Sequence, residues 1–505
     1  MKNPVMLKNK FFLALCIGAL CCSSTLAQRS GAPAQSGQSL TGADIKGRAP
    51  VNKEVLKVNL PKAQEATLSN GLRVVLLPRT TVPIVTMQMV IMSGGLADPA
   101  DFRGLSTFTA TLLREGTRTR KSKDIAEQVE TLGATLQTTS ALSAMTSNVT
   151  MFGLVENLDQ MLDIYSDIIR NPTFPQEEVD KYKARQLQQL MFQRSIPQFL
   201  AQERFLKAIY GPNHPAGLAT VPADSLKRVT SADLAKFHST YYRPNNAILA
   251  IVGDVTLKQI VPKLEKAFAG WERGDVPAMN IPAAPAQGPA RIQLIDRPGS
   301  VQTVLQLGNL GIERTSEDYF GMLVMNQVLG AGPAARLFLN LREKNGYTYG
   351  AYSNFNGSKF RGTLISSSEV RTDVTEGAMR EFKYELQRLR DEKVPAVELE
   401  NAKRAIVGGF ALSLEQPQSL LGNIITQKIY DLPANYWETY PQKVQAITAD
   451  DIQRIAQKYI DLDHLQIVAV GDASKTRAIL AKFGAVEEYD AEGKPVKTAA
   501  NGPGH

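Results

Sequence analysis

At 505 residues the chain exceeds what a single hydrophobic core organises, so two or more domains are expected. With 43% hydrophobic and 21% charged residues, the composition is that of an ordinary globular protein and excludes disordered, collagen-like and membrane-embedded classes. The net charge of +8 is carried without a Lys/Arg block or basic–aromatic interleaving, which argues against nucleic acid as a partner.

Lys2, Lys8 and Lys10 precede an apolar run from Phe11 to Cys22, followed by Ser23, Ser24, Thr25, Leu26 and Ala27. That run is too short to span a bilayer, and Thr25 and Ala27 are the small residues a signal peptidase reads. Residues 1–27 are therefore expected to be a secretory signal peptide cleaved after Ala27. Lipidation at Cys21 or Cys22 is the alternative, weakened by the bulky Leu20 or Cys21 before the acceptor. All three cysteines, Cys16, Cys21 and Cys22, lie in this leader, so the mature chain would have no thiol. That suits export to an oxidising bacterial periplasm. The leader holds three lysines and no acid, so its removal takes the charge from +8 to +5.

Residues 28–60 are rich in Gly, Ala, Ser, Gln and Pro and read as a flexible tether. A second such stretch, 274–290, carries Pro277, Pro282, Pro285 and Pro289 and reads as an interdomain linker. The polar, Gly/Pro-punctuated residues 486–505 are expected to be a disordered tail. Two domains, 61–273 and 291–485, remain.

These two blocks resemble each other. Val229 to Asp254 (VTSADLAKFHSTYYRPNNAILAIVGD) lies without gaps over Ile447 to Asp472 (ITADDIQRIAQKYIDLDHLQIVAVGD). Each opens on a Ser/Thr cap, runs through an amphipathic helix ending at Tyr241 or Tyr459, and closes in an apolar strand with Gly-Asp. The block starts, Arg73 to Ile91 and Arg291 to Gly308, both read strand, Pro-containing turn, strand. An internally duplicated α+β unit follows. Ile84 to Ile91 reads as a strand with one wetter face. Ser122 to Leu136 reads as a helix with Ile125, Val129 and Leu132 on one side, and Leu323, Val324 and Val328 mark another helix.

In the first block GLSTFTATLLREGT, Gly104 to Thr117, reads as a hydrophobic helix just after Ser93, Gly94 and Gly95. It resembles the signature helix of the M16 (pitrilysin-like) metallopeptidases, Gly-Leu-x-His-x-x-Glu-His, two apolar residues and a closing Gly-Thr. Gly104, Leu105, Phe108, Leu113, Gly116 and Thr117 stand where that family has them. Thr107 and Thr111 stand in place of the two zinc-binding histidines, and Ala110 in place of the general-base glutamate. A His-x-x-x-His spacing puts two imidazoles one turn apart on one helix face, where they share a tetrahedral zinc. Threonine is a poor zinc ligand, and alanine can neither take nor hold a proton. The family's third ligand, a glutamate on a later helix resembling Glu177 to Leu190, falls at Gln188 or Gln189. The only histidines are His214, His238, His464 and His505, none within a turn of another, and they read as surface, loop or tail residues without a metal role.

In the second block LGAGPAARLFLNLREKNGYTYGAYS, Leu329 to Ser353, resembles the C-terminal half of M16 peptidases. The family's substrate-holding Arg and Tyr, seven residues apart, are here Arg342 and Tyr349, and Gly330 to Pro333 resembles its flexible glycine loop. A guanidinium can grip a substrate carbonyl or terminus, and a phenol can stabilise a developing oxyanion. Set against this, Arg342 could simply pair with Glu343 and Tyr349 lie on the wetter face of a strand.

The resemblance covers about Ala63 to Asp472 and implies an α+β fold of two duplicated α/β sandwich domains of the M16 peptidase and LuxS-like type. It also implies a function: a zinc-less, inactive subunit that binds substrate beside a zinc-bearing M16 peptidase, as a heterodimer acting on peptides in the periplasm. The zinc would then sit on the partner and this chain would bind no cofactor. A non-enzymatic scaffold or peptide-binding protein on the same fold is the second reading, and a peptidase with a rebuilt metal site the third.

Overall fold

In the computed structural model, residues 57–58, 62–279 and 281–496 are described. The expected signal peptide, nearly all of the expected tether and the last nine residues of the expected tail lie outside them. The first half runs β1 (Gln64–Thr67), β2 (Arg73–Pro78), β3 (Ile84–Ile91), α1 (Leu105–Leu112), α2 (Ser122–Thr131), β4 (Thr135–Thr139) and β5 (Ser147–Leu154). It continues through α3 (Leu158–Arg170), α4 (Gln176–Gln193), α5 (Pro197–Tyr210), α6 (Ala223–Arg228), α7 (Ser231–Tyr241), β6 (Ala247–Gly253) and α8 (Leu257–Ala267). After 274–290, described without helix or strand except at Asn280, come β7 (Arg291–Asp296), β8 (Gln302–Leu310), α9 (Tyr319–Leu329) and α10 (Arg336–Phe338). The remainder is β9 (Thr348–Phe355), β10 (Thr363–Arg371), α11 (Thr375–Asp391), α12 (Ala396–Ser413), α13 (Pro417–Ile429), α14 (Tyr440–Gln445), α15 (Ala449–Tyr459), β11 (Gln466–Gly471), α16 (Ala473–Leu480) and β12 (Val486–Tyr489).

Each half folds around a six-stranded sheet, ordered β1-β2-β6-β3-β5-β4 in the first and β12-β7-β11-β8-β10-β9 in the second. The repeat is physical as well as textual. Thr230 with Asp233 and Thr448 with Asp451 form the same capping box at the starts of α7 and α15, satisfying orphan backbone N–H groups. The apolar runs that follow become β6 and β11, buried along their whole length. Each pairs parallel with one neighbour and antiparallel with the other, and both faces of each are covered, which is why neither alternates polar and apolar. One face of each sheet packs against its own helices, with Phe108, Tyr165 and Phe237 in the first core and Met325, Phe382 and Ile455 in the second.

The opposite faces are covered by exchange. α5, from the first half, lays Leu200, Ala201, Phe205 and Ile209 on Ile295, Val304, Val468 and Val470 of the second sheet. α13, from the second half, lays Leu420, Leu421 and Ile425 on Leu77, Val90, Ala250 and Val252 of the first. Matching latches hold both helices. Arg79 donates to the carbonyl of Glu415 at 3.0 Å, two residues before Pro417, and Arg297 donates to that of Ser195, two before Pro197.

Three expectations need correction. The helix read over Ser122 to Leu136 stops at Thr131, because Gly133 turns the chain through φ +58° and the β-branched threonines after it enter β4. The signature helix ends at Leu112, short of Thr117. The tail read from residue 486 begins with a strand: β12 pairs parallel with β7, and Arg477 donates to Glu488 at 2.6 Å. A four-residue strand with two acidic residues is too short and too polar to show a periodic signal.

Candidate functional site

α1 is entered through a turn fixed by Asp98, whose carboxylate accepts from the backbone N–H of Gly104 at 2.6 Å and Ser106 at 2.8 Å. Burial pushes this carboxyl up to about 6, against the pull of those two N–H groups. Leu105, Phe108 and Leu112 face the core. Thr107 and Thr111 stand one turn apart, half-buried, and Ala110 is fully buried. Thr111 Oγ1 donates back to the carbonyl of Thr107 at 2.8 Å, Tyr182 Oη on α4 lies 3.5 Å from Thr111 Oγ1, and Thr107 Oγ1 has no partner among the described residues. Tyr182 also meets Phe108 edge-on at 4.9 Å. Gln188 and Gln189 are exposed further along α4.

These donors do not fit zinc. A tetrahedral zinc needs imidazole, thiolate or carboxylate ligands, whereas the two ligand positions on α1 offer the hydroxyls of Thr107 and Thr111, the latter already used by its own helix. Among the described residues, no three His, Cys, Asp or Glu side chains stand where they could hold a metal ion. With Ala110 at the general-base position, α1 also has no group to accept a proton from water.

The second half presents a different surface. Past α10 the helix widens into a π turn, Leu339–Lys344, which carries Arg342. Buried Asn340 pins this turn to α11, donating to Glu381 at 2.8 Å and Glu385 at 2.7 Å, and Asn345 Nδ2 closes it onto Asn340 O at 2.9 Å. The Arg342 guanidinium lies 4.8 Å from the centre of the Phe338 ring and 3.6 Å from Glu343, half-exposed. Phe338 in turn meets Tyr352 of β9 at 5.7 Å.

Tyr349 stands on β9, the outermost strand of its sheet, and is 89% exposed. A β-bulge aims it outward: Ala351 pairs with Ser368 and Thr348 with Val370, so Tyr349 and Gly350 together oppose Glu369 alone. Thr348 Oγ1 donates to Glu369 O at 2.6 Å, and Ser368 Oγ to Gly350 O at 2.9 Å, stapling the bulge. Gln198 of α5 reaches the Glu369 carboxylate at 2.7 Å, so the first half buttresses the bulge. The glycine loop is tied to the same strand, with Ser353 N donating to Gly330 O at 2.9 Å. Arg342 and Tyr349 thus stand on packed neighbouring elements of one half, whereas Thr107, Ala110 and Thr111 stand on α1 of the other. Sequence reasoning missed Asn340, Thr348, Ser368 and Gln198. Only the Thr/Ser-rich, unalternating stretch beside Tyr349 hinted at the bulge.

The histidine reading is corrected for two of the four. His214 is buried, stacked on Tyr210 at 4.9 Å with Nε2 3.0 Å from Pro282 O. His238 lies 2.8 Å from Ile169 O, and burial pushes its imidazole down to about 4. His214 is a core residue and His238 a half-buried one on α7, each held by a carbonyl; His464 pairs with Asp461 at 2.8 Å near the surface, and His505 lies outside the described residues.

Residues 73–219 match the family model for insulinase (peptidase family M16), and residues 228–406 that for the peptidase M16 inactive domain. Over 357 residues the chain is 25% identical to an uncharacterized zinc protease of Bacillus subtilis, covering 70% of this chain and 85% of that one. An uncharacterized zinc protease of Rickettsia felis is 26% identical over 401 residues, 77% of this chain and 93% of its own. Among solved structures, the peptidase M16 inactive domain from Pseudomonas fluorescens superposes with a TM-score of 0.75 at 26% identity, covering 81% of this chain and 98% of that one. A protease from Helicobacter pylori shares the fold, with a TM-score of 0.74 at 21% identity over 81% of this chain and all (100%) of its own. With both family models matched in order across the two duplicated halves, the chain belongs to peptidase family M16.

Proposed function

We propose that this chain is the non-catalytic, substrate-binding partner subunit of a zinc-bearing M16 peptidase, exported to the periplasm and acting there on peptides. One observation carries the reading. The helix that would bind zinc keeps its frame but carries Thr107, Ala110 and Thr111, while the edge strand of the other half holds Tyr349 out to solvent on a stapled bulge. A phenol with no hydrogen-bond partner among the described residues is available to a group from outside. In this reading zinc and base come from the partner, Arg342 grips the peptide, and Tyr349 donates to the oxygen on which charge develops.

The test is purification from the native host with identification of any bound chain, followed by metal analysis and peptidase assay of this subunit alone and with its partner. The expected result is no stoichiometric zinc and no hydrolysis alone, and activity in the pair. One tightly held zinc per isolated chain with chelator-sensitive activity would overturn the reading.

A further inference from the structure

Between β8 and α9 the chain buries an arginine. Arg314 is only 8% exposed, and its guanidinium lies on the Tyr319 ring, 3.9 Å from the centroid, with the Tyr436 ring at 5.1 Å and the Tyr430 ring at 6.0 Å. Its Nη1 donates to Tyr436 Oη at 2.9 Å. Among the described residues that is the side chain's one hydrogen bond, and it makes no ion pair.

A buried guanidinium is rarely left so, because taking its charge out of water is costly unless an anion meets it. Arg336, the other arginine buried among the described residues, shows the usual arrangement. Its Nε and Nη2 hold the two oxygens of Glu398 at 2.7 and 2.8 Å, a bidentate pair. On Arg314 the same edge, Nε and Nη2, has no acceptor among the described residues, yet it is not sealed from water. The tyrosine faces attract the cation without supplying a negative charge.

The surroundings add donors and no acid. Tyr436 Oη accepts from Arg314, but its own O–H has no acceptor among the described residues, and the half-buried Tyr319, Tyr430 and Tyr440 hydroxyls make no hydrogen bond there either. Burial pushes the phenols of Tyr319, Tyr436 and Tyr440 up, against the pull of the Arg314 charge nearby, so they stay protonated and able to donate. Lys443 brings a second cation, its Nζ 4.9 Å from the centre of the Tyr436 ring. One buried cation, one exposed cation and several unused hydroxyls thus share a place that lacks only the anion.

We propose that this tyrosine cage is a carboxylate-binding site. Arg314 Nε and Nη2 take the two carboxylate oxygens as Arg336 takes those of Glu398, since the planar fork matches that group. The Tyr436 hydroxyl donates beside them, and the rings offer an apolar wall to whatever carries the carboxylate. That carboxylate can end a peptide or belong to a small organic acid; the chemistry is shared, and two probes separate the sources. The inference rests on this chain alone and is independent of the pairing proposed above.

The test is calorimetric titration of the full mature chain, in buffer free of carboxylate and phosphate, with N-acetylphenylalanine, its amide and 3-phenylpropanoate. N-acetylphenylalanine should bind with a Kd of about 1 mM or tighter, and the amide about tenfold more weakly or worse. Tighter binding of N-acetylphenylalanine than of 3-phenylpropanoate supports a peptide C-terminus as the ligand; equal binding supports a small organic acid. Arg314→Met, which keeps an unbranched stem on the Tyr319 ring and withdraws the charge, should abolish binding of both acids. If that variant fails to fold, Tyr436→Phe keeps the ring, removes the hydroxyl that orients Arg314, and should weaken N-acetylphenylalanine about threefold or more. No saturable heat from either acid, equal binding of acid and amide, or undiminished binding by the folded variant would overturn the proposal.

Discussion

Phe205→Ala tests whether the two halves fold as one. Phe205 belongs to a first-half helix but is fully buried on the second sheet, so near Gly308 that a Cβ built there would stand 2.8 Å from its Cζ. Gly308 is paired with Ile365 of β10 on one side and Gln466 of β11 on the other, so the strand is held and does not move in to fill the space. Truncating a fully buried ring that cannot be replaced by collapse costs about 3–5 kcal/mol. With a urea dependence of about 3 kcal/mol/M, the midpoint should fall by about 1 M or more. The two tryptophans provide the assay, because Trp271 reports on the first half and Trp437 on the second. In Trp271→Phe and Trp437→Phe backgrounds, each transition is followed by a single reporter. If α5 and α13 bind the halves into one cooperative unit, Phe205→Ala moves both midpoints equally. A shift confined to Trp437, with Trp271 unchanged, would refute that coupling.

In the reconstituted pair, Tyr349→Phe should lower turnover about 10²–10³-fold, the usual cost of one oxyanion donor, with pairing unchanged on size exclusion. Arg342→Ala should chiefly raise KM, and wild-type rates from both variants would make the pair structural and favour a scaffold. Because burial raises Asp98 above its unfolded value of 3.8 to about 6, its contribution to stability is fully present below pH 3.8 and lost as pH rises through about 6. Asp98→Asn loses one of the two acceptors, because its amide can take only one of the Gly104 and Ser106 N–H groups, so it should start below the wild type near about pH 4 and gain on it by about 2–3 kcal/mol by about pH 8 in urea titrations. Asp318 behaves oppositely: burial opposes its ionisation, but hydrogen bonds from Lys458, Arg454 and Tyr459 outweigh it and hold the carboxyl at about 2. Its contribution is present above pH 3.8 and lost as pH falls through about 2, so Asp318→Asn should be destabilised at neutral pH and equal to the wild type in strong acid, read by thermal melts.

What the sequence made legible follows from how local each signal is. The cap, helix and apolar strand of Val229 to Asp254 and Ile447 to Asp472 are written in consecutive residues, and α7, β6, α15 and β11 fall where that pattern puts them. The losses at Thr107, Ala110 and Thr111 are legible for the same reason, since their meaning lies in spacing along one helix. The exchange of α5 and α13 is invisible there, because nothing within either helix says which half's sheet it covers; only the fold decides that. His238 looked like a surface residue because nothing in its neighbours reveals that Ile169, far away in sequence, supplies a carbonyl. The geometry around Tyr349 was hidden likewise, as the bulge depends on Thr348, Ser368 and the distant Gln198.

The unequal edges of the two sheets have a consequence for how the chain behaves in solution. β1 and β12 are four residues long and carry Glu65, Glu487 and Glu488, charges that discourage a further strand from adding. β9 runs eight residues, Thr348–Phe355, with neither charge nor proline, interrupted by the bulge at Tyr349 and Gly350 and by the Gly330 carbonyl on the Ser353 N–H. The rest of its outer row of N–H and C=O groups is a template on which an extended chain can add. If that edge recruits a second copy, self-association should rise with protein concentration and fall when a charge is placed on β9, as light scattering would read.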